Sequence, residues 1–346
     1  MKIARLDPLR DSRWQTFLDG AGDASVFHHS AWLALVGRRY RYPMSALCVT
    51  DDGGEILAGI PLARVASRLT GRRLVAVPFS DICAPAYATG AGEAVSAALT
   101  QALVDERSRT GLAIEVRARL DGVAGTHVVD GFLTHRLPLA PDADAVLARA
   151  SKSQVRRGIA KARREGVVVE PSFDRNGLRE FYELHVQTRR RQLVPVQSKG
   201  FILGFESLFS RGLGYVLISR HEGRAIAAAV FLNYGATLTY KYGASDENFL
   251  HLRPNHLLFA EAIRRGCAAG LNELDFGRTD PDNEGLAKFK RSWGADEQPL
   301  AYTYLSDEGP NGVGHGLAGK VITEAIRRGP RQTGRVIGTA LYRHVG

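Results

Sequence analysis

The apolar residues of this chain occur in short segments, whose spacing alternates between the two-residue period of strands and the longer period of helices. The longest uninterrupted apolar segment spans about eight residues, 225–232, far fewer than the roughly 20 that a membrane-spanning helix requires. Glycine, proline and acidic turn residues separate the segments. The chain is therefore predicted to fold as a mixed α/β (α+β) protein with closely spaced strands and helices.

The order of the predicted elements is similar in the two halves of the chain, which indicates a duplicated domain. In the first half, helices are predicted at 31–36 and 93–109 and strands at 45–49, 55–62, 73–79, 113–116 and 131–137. In the second half, strands are predicted at 167–170, 215–221, 224–234, 238–244 and 273–276, and helices at 176–191, 201–209, 254–269 and 286–292. The predicted segments are a first domain (1–141), a basic helical linker (142–166), a second domain (167–310) and a tail of C-terminal helices (311–346).

Positive charge restricts the choice of partner. The 46 lysine and arginine residues exceed the 36 aspartate and glutamate residues, which gives a formal net charge of +10. Such an excess favours a phosphate group, a nucleic acid, an acidic membrane or an acidic glycan. The linker carries six basic residues within 13 positions, 152–164, and the tail is rich in arginine. The basic side of the linker is either an ordinary solvated helix surface or a contact surface for tRNA. The tail is either a solvated helical surface or a contact surface for acidic lipid or glycan.

Several common kinds of site are excluded or disfavoured. The sequence has no G-x-S-x-G elbow, no Walker loop, no H-E-x-x-H and no strand-linked G-x-G-x-x-G. His251 and His256 are separated by Pro254 and do not share a helix face, so no metal site is expected. Three widely spaced cysteines argue against a disulfide framework. With no apolar signal segment at the N-terminus, we expect a cytoplasmic protein, either free or in peripheral contact with the inner face of the membrane.

A dense set of motifs between residues 240 and 294 resembles one family. YKYGAS (240–245) is followed by HLRPNHLL (251–258), DFGRT (275–279) and LAKFKRSWG (286–294). Three upstream segments and the end of the tail fit the same pattern: PFSD (78–81), KSQVRRGIAKARREG (152–166), LHVQTRRRQLVPVQ (184–197) and ALYRHVG (340–346). In this order, the motifs resemble the FemAB-related branch of the GNAT acyltransferase superfamily, and the end of the tail resembles its exopolysaccharide- and exosortase-associated subgroup.

The resemblance implies two tandem GNAT-like domains with mixed central sheets and an acyltransferase activity. An acyl or aminoacyl group would move from acyl-CoA or aminoacyl-tRNA to an amine or hydroxyl of a saccharide, peptide or small amine acceptor. In this fold the donor carbonyl lies where two parallel strands separate, and the expected strands are 224–234 and 238–244. The short linker leaves no room for the coiled-coil arm with which tandem Fem enzymes reach tRNA, which slightly favours a thioester donor.

The phosphates of the donor are expected at the start of the helix near Pro254, where free N–H groups and the helix dipole favour anions. The cofactor-binding candidates at this point are Arg253, Asn255 and His256. The glycine-rich pyrophosphate loop of ordinary GNAT proteins is missing here, as is usual in Fem-like proteins.

Lys241 is a catalytic candidate on the strand 238–244. Strand alternation predicts that its side chain points away from both Tyr240 and Tyr242. Lys241 therefore either faces the active site, where it binds an anionic group, or lies at a solvated edge. Tyr242 is a substrate-binding candidate.

Asp275 and Lys290 are the other catalytic candidates. Asp275 follows a buried strand, and Arg278 shortly after it either binds a phosphate or carboxylate of the substrate or forms an ion pair with Asp275. Lys290 matches the lysine of an F-K-x-x-(aromatic)-G segment in peptidoglycan aminoacyltransferases. The resemblance implies that Lys290 contacts the substrate or the transferred group.

Further substrate-binding candidates lie on other elements. Tyr182, His185 and Arg189 share the helix 176–191 and suit a phosphate or uronate group. Asp81 is either an acceptor-site carboxylate or a structural residue. Trp293 is either a platform for the ligand or a core residue.

A second hypothesis is a non-catalytic protein that binds an acidic polymer or a membrane surface. Its support is the net charge of +10 and the basic tail. The two hypotheses differ in one structural expectation. An acyltransferase brings Lys241, Asp275, Arg278 and Lys290 together in space, whereas scattered positions favour the binding protein.

Overall fold

A computed structural model of the chain describes residues 1–120, 122, 125–307, 317–330 and 332–345. The chain divides into two compact units, each discontinuous in sequence. Unit 1 comprises Met1–Gly131, Leu300–Gly316 and Ala340–Gly346. Unit 2 comprises Phe132–Pro299 and Leu317–Thr339.

Strands and helices alternate along the described residues. The strands are β1 (Lys2–Leu6), β2 (Met44–Thr50), β3 (Ile56–Ser67), β4 (Gly71–Val75), β5 (Ala86–Tyr87), β6 (Ala113–Val116), β7 (Thr126–Pro138), β8 (Val168–Ser172), β9 (Gly214–His221), β10 (Arg224–Tyr234), β11 (Thr237–Ser245), β12 (Glu273–Thr279) and β13 (Asp296–Leu305). The helices are α1 (Ser12–Gly20), α2 (Ser30–Tyr40), α3 (Glu93–Thr110), α4 (Ala143–Ala148), α5 (Arg157–Arg164), α6 (Arg175–Arg191), α7 (Lys199–Leu203), α8 (Glu206–Phe209), α9 (Pro254–Ala268), α10 (Glu284–Arg291), α11 (Leu317–Arg328) and α12 (Thr333–Val345). A π-helical turn (Lys152–Arg156) precedes α5, and a 3₁₀ segment (Glu247–Leu252) precedes α9.

Among the described strands, each unit has one parallel pair beside an antiparallel meander. In unit 1 the strand order is β1-β2-β3-β4-β6-β13, with β5 on β3, and β4 is parallel to β6. In unit 2 the order is β8-β9-β10-β11-β12-β7, and β11 is parallel to β12. A helix connects the two parallel strands in each case, α3 in unit 1 and α9 in unit 2. The predicted mixed α/β fold is confirmed, and the two units share one order of paired strands with a helix between the parallel two.

In each unit, one strand of the order given above comes from a distant part of the sequence. In unit 1 it is residues 300–305 of β13, where Thr303 lies opposite Val116 of antiparallel β6. In unit 2 it is residues 132–138 of β7, where Leu137 lies opposite Leu274 of antiparallel β12. The predicted domains 1–141 and 167–310 are continuous segments, unlike the compact units. Local periodicity does not indicate which strands will pair, because the partner is chosen by tertiary packing.

The predicted linker, 142–166, packs within unit 2. Its three elements, α4, the π-helical turn and α5, place Val146, Val155 and Ile159, respectively, in the hydrophobic core of that unit. The basic residues lie mainly on the opposite, exposed side. The segment is therefore an amphipathic wall of unit 2.

Several local predictions differ from the structure. The helix predicted at 201–209 is two short helices, α7 and α8, separated at Gly204 and Phe205. Strands β1 and β13 were not predicted. Strand β1 is short and largely exposed, and β13 begins with four exposed residues that show no alternation of apolar and polar side chains. No helix among the described residues is long and apolar enough to cross a membrane.

A β-bulge between β10 and β11 overturns the predicted alternation around Lys241. Val230 lies opposite Tyr242 and Phe231 opposite Tyr240, so Lys241 is the extra residue. An extra residue moves the following side chains to the other face of the sheet. The two tyrosines accordingly contact different helices: the ring of Tyr240 lies 4.9 Å from that of Phe259 on α9, whereas Tyr242 lies beside α6.

Replacement of Gly243 by alanine tests the bulge. An alanine Cβ at this position would lie 2.0 Å from the hydroxyl oxygen of Tyr240, so we expect Gly243→Ala to destabilise the protein by about 1–3 kcal/mol. Tyr240→Phe in the same background removes the nearest atom and should restore part of that loss. Urea unfolding measures both effects, with Gly22→Ala as the control because no atom lies within 4 Å of its Cβ position. Equal stability of Gly243→Ala and the parent protein would contradict the bulge geometry.

Candidate functional site

The parallel strands β11 and β12 of unit 2 pair over only three residues each before they separate. The last pair is Thr239 with Asp275. Beyond it, β11 carries the bulge at Lys241, and β12 has a register shift against β7 between Asp275 and Arg278. The strands expected to separate, 224–234 and 238–244, are instead an antiparallel hairpin. The predicted opening exists, but it lies on the other side of β11, because β12 and not β10 is its parallel neighbour.

A tight turn at Gly277 organises the β12 side of this opening. Gly277 has φ +69°, and its N–H donates to Oδ1 of Asp275 at 2.7 Å. The side chain of Lys290 is buried, and its Nζ donates to the carbonyl oxygens of Gly277 at 2.8 Å and Arg278 at 3.3 Å. The guanidinium of Arg278 lies 4.2 Å from the ring centroid of Phe132. Asp275, Arg278 and Lys290, three of the four residues that an acyltransferase should bring together, therefore meet at one turn. Lys290 is hydrogen-bonded to the backbone of that turn.

Lys241 lies on the β11 side of the opening. It follows Thr239, the partner of Asp275, by two residues, and its side chain is largely buried. Its Nζ lies 5.2 Å from the ring centroid of Tyr242. The four residues that the acyltransferase hypothesis requires to converge thus flank the two edges of the opening.

A basic pocket of about 420 Å³ opens at the start of α9. Four cationic side chains line it, with no carboxylate among the described lining residues: Arg157, Lys161, Arg253 and Lys288. The α9 N-cap is Arg253 in the left-handed conformation, at φ +61°, and Pro254 occupies the first turn. Free N–H groups at a helix start favour anions, and the surrounding cations add to that preference.

The predicted donor site falls on this pocket. Arg253 and His256 line it, and Asn255 lies between them in the sequence. Burial, with a smaller effect of Arg253, lowers the pKa of His256 to about 4, so the imidazole is neutral at pH 7. The predicted linker, 142–166, supplies Arg157 and Lys161 from α5 and Ser153 and Gln154 from the π-helical turn. The sequence shows that this stretch is basic, but its pattern does not predict that these residues line the site.

Aromatic side chains connect the pocket with the strand opening. Phe289 lines the pocket and lies 5.4 Å from Phe259, measured between ring centroids. Phe259 in turn contacts Tyr240 at 4.9 Å and stacks on Phe276 at 5.4 Å. Tyr240 and Phe276 are the first residues after the last parallel pair. Trp293 is fully buried in this cluster and packs the wall behind the pocket.

Comparison with known families agrees with this geometry. Residues 149–291 match the family described as "Acetyltransferase (GNAT) domain". The matched segment is similar to a GNAT domain and covers less than half of the chain. Together with the relatives described next, the match confirms the predicted resemblance to FemAB-related GNAT proteins.

Curated relatives of the chain are lipid II:glycine glycyltransferases. The protein from Staphylococcus epidermidis is 34% identical over 96 residues, which cover 26% of this chain and 21% of the relative. The protein from Staphylococcus haemolyticus is 33% identical over 99 residues, which cover 27% and 22%, respectively. The chain thus matches about a fifth of the length of these relatives.

Solved structures agree with the fold over most of the chain. The crystal structure of FemX gives a TM-score of 0.68 at 16% identity and covers 89% of this chain and 98% of that chain. The structure of L-PGS from Bacillus licheniformis gives a TM-score of 0.56 at 14% identity and covers 94% and 99%, respectively. At these identities the similarity shows the fold.

On the α6 side of unit 2, predicted substrate-binding residues form a second group. His185 is buried, and its Nε2 donates to Oε1 of Gln197 at 2.7 Å, which leaves Nδ1 without a hydrogen-bond partner among the described residues. Its ring lies 5.7 Å from that of Tyr242. The Tyr182 ring lies 6.0 Å from Nζ of Lys199. Arg189 is half-buried one turn further along α6.

A buried histidine beside the Gly277 turn is not among the residues predicted from the sequence. His135 on β7 lies between the partners of Asp275 and Arg278, and its Nε2 is 2.8 Å from a carboxylate oxygen of Glu297. Its Nδ1 is 3.4 Å from Oγ1 of Thr279. Burial lowers the pKa of His135. A carboxylate, an imidazole and a hydroxyl are thus aligned, but the residues are far apart in sequence and no local motif reveals them.

Asp81 lies in unit 1, whereas the other twelve predicted site residues lie in unit 2. It follows β4, the first strand of the parallel pair of unit 1, just as Lys241 lies at the end of the parallel pairing of β11. Its carbonyl oxygen accepts a hydrogen bond from the hydroxyl of Tyr302 at 2.6 Å. Val77 and Phe79 just before it have positive φ, 56° and 66°, a strained backbone that the surrounding structure must hold in place.

Among the described residues, no group of three or more histidine, cysteine, aspartate or glutamate side chains is placed to bind a metal.

The buried His185 predicts a loss of stability in acid. Burial, with the charge of Arg189, lowers its pKa to about 3, whereas an unfolded histidine has a pKa near 6.5. Between these values the unfolded chain binds a proton that the folded chain excludes, so stability falls as the pH drops below 6.5. Between pH 7 and pH 5 this histidine should contribute a loss of about 2 kcal/mol.

Urea unfolding of the parent protein and of His185→Gln at both pH values measures this contribution. The variant should lose about 2 kcal/mol less than the parent protein on acidification. Identical losses would mean that His185 is protonated in the folded state.

Proposed function

We propose that this protein is an acyltransferase that moves an acyl or aminoacyl group from an activated donor to an amine or hydroxyl acceptor. The observation that carries the proposal is the opening between β11 and β12, which a chain of aromatic rings connects to a basic pocket at the start of α9. The placement of Lys241 on the β11 side of this opening, and of Asp275, Arg278 and Lys290 on its β12 side, supports an enzyme over a non-catalytic binding protein.

The pocket supports a phosphate-bearing donor. Four cations and a helix start suit the phosphates of acyl-CoA or the backbone of aminoacyl-tRNA. We favour a thioester donor, because residues 142–166, which leave no room for a tRNA-binding coiled-coil arm, are packed into the wall of unit 2. The glycyltransferase relatives support an aminoacyl group as the alternative.

In the proposed reaction, the acceptor nitrogen or oxygen attacks the donor carbonyl, and the bond from that carbonyl to the donor's sulfur or oxygen breaks. The proton that the acceptor loses ends on the leaving sulfur or oxygen. Positioning of the two reactants and stabilisation of the developing oxyanion supply most of the rate enhancement. Lys241 is proposed to stabilise this charge from the β11 edge. Lys290 is proposed to hold the Gly277 turn in the shape that the transition state requires.

The proposed acceptor is a saccharide, a peptide or a small amine. The lipid II named for the relatives carries both sugar and peptide, which supports this class. Tyr242 and the α6 group with Tyr182 and His185 are the proposed acceptor contacts in unit 2. We propose a cytoplasmic location, in keeping with either donor.

Donor binding is the first test. Calorimetric titration of RNase-treated protein with acetyl-CoA and CoA should give saturable binding, which Arg253→Gln weakens about 10–100-fold through loss of a charge-assisted contact. Arg211→Gln, an exposed arginine outside the pocket, is the control and should bind normally. Absence of CoA binding, together with binding of charged tRNA that depends on Arg253, would reject the thioester donor. Absence of both would reject the proposed donor site.

The catalytic role of Lys241 is tested by turnover. With saturating donor and a panel of amino sugars and short peptides, release of the free thiol measures transfer. Lys241→Met should lower kcat at least about 100-fold, because a preorganised charge is lost, while donor affinity changes less than about threefold. Lys2→Met at an exposed position is the matched control. Full activity of Lys241→Met would remove Lys241 from the mechanism without affecting the donor site.

A further inference from the structure

The hairpin between β3 and β4 in unit 1 ends in an exposed leucine among arginines. Leu69 at its tip is 68% exposed. Arg68 precedes it and Arg72 follows the turn, and both are exposed. Residues 64–73 contain four arginines and no acidic residue. The tip of the hairpin therefore combines an exposed apolar side chain with flanking cations, on a protein of net charge +10.

This tip is held rigidly. The backbone N–H groups of Leu69 and Thr70 both donate to Oγ of Ser67, at 2.9 and 3.0 Å. Nη1 of Arg73 donates to the hydroxyl of Thr70 at 2.8 Å. The outward position of Leu69 is therefore built into the turn.

The end of the chain is attached to the same hairpin. Oγ1 of Thr70 donates to the carbonyl oxygen of His344 at 2.6 Å, and Nδ1 of His344 lies 3.1 Å from Oγ of Ser67. Arg343, the preceding residue of α12, is exposed. The C-terminal turn of α12, which carries this cation, thus lies against the hairpin. We call this surface, formed by Arg68, Leu69, Arg72 and Arg343, the hairpin patch.

We propose that the hairpin patch binds the surface of a bilayer that contains acidic lipids, with Leu69 inserted among the headgroups and the arginines on the lipid phosphates. The charge of the patch is complementary to such a surface, and each arginine near it strengthens binding about fivefold. A buried leucine side chain adds at least about tenfold. Arginines can remain at the headgroup level while their apolar stems lie along the leucine.

The leucine distinguishes a bilayer from other polyanions. Single-stranded nucleic acids bind through aromatic stacking as well as charge, and the patch has no aromatic residue among its four members. An acidic polysaccharide would use the arginines and leave the leucine in water. The hairpin patch lies in unit 1, so this inference does not depend on the proposed acyl transfer in unit 2.

Vesicle binding of the full chain tests the proposal. Co-sedimentation with vesicles of equal parts phosphatidylcholine and phosphatidylglycerol should show binding that weakens with salt, whereas phosphatidylcholine alone should bind little. Leu69→Ser should weaken binding at least about tenfold and Arg68→Gln with Arg72→Gln about 25-fold. Leu9→Ser, at another exposed leucine of unit 1, and Arg211→Gln are the controls and should bind normally.

An environment-sensitive dye measures insertion directly. The three native cysteines are buried, so a dye attached to the thiol of Leu69→Cys reports on the tip. Its emission should shift to the blue with acidic vesicles only. An unshifted emission, or equal binding of Leu69→Ser and the parent protein, would overturn the proposal. Tight binding of tRNA or heparin that requires the arginines, without binding to acidic vesicles, would instead assign the patch to a soluble polyanion.

Discussion

The separation of β11 from β12 is the constraint on which the rest of unit 2 depends. Parallel pairing ends at Thr239 and Asp275 because both strands become irregular directly afterwards, β11 at Lys241 and β12 at Gly277. A bulge adds one residue and reverses the face of every side chain that follows. Tyr240 therefore packs on α9 and Tyr242 on α6, so the opening has an aromatic residue on each face of the sheet.

Positive charge occurs in this unit in two physical forms. The ammonium of Lys290 is buried, and the cost of its desolvation is offset by two carbonyl oxygens of the Gly277 turn. It is fixed in place and little screened by salt. The cations of the basic pocket, by contrast, surround an open cavity at a helix start and are screened by ions until a ligand displaces them. The buried ammonium of Lys290 suits the shaping of a reaction site, whereas the cations of the open pocket suit the capture of an anionic donor.

Much of the fold and part of the site could be predicted from sequence. The hairpin over Glu222-Gly223, the helix start at Pro254 and the buried strand at Glu273 each follow from local turn chemistry and periodicity, and they place Arg253 and His256 at the pocket. His135, Glu297 and Thr279 could not be found in this way, because they lie on three strands and become neighbours only through strand pairing and packing. Trp293 was open to either interpretation, and the structure places it in the core.

The sequence by itself determined the α/β class, the repeated order of elements, the basic character of 152–164 and the position of the α9 start, because each depends on residues within one turn or one strand. Only the tertiary structure decided which strands run parallel and where the extra residue in β11 falls. It also decided that residues 132–138 and 300–305 pair with strands that are distant from them in the sequence. The physical reason is that strand partners are selected by the burial of side chains on both faces of a sheet. That burial is a property of the assembled chain and not of any local segment.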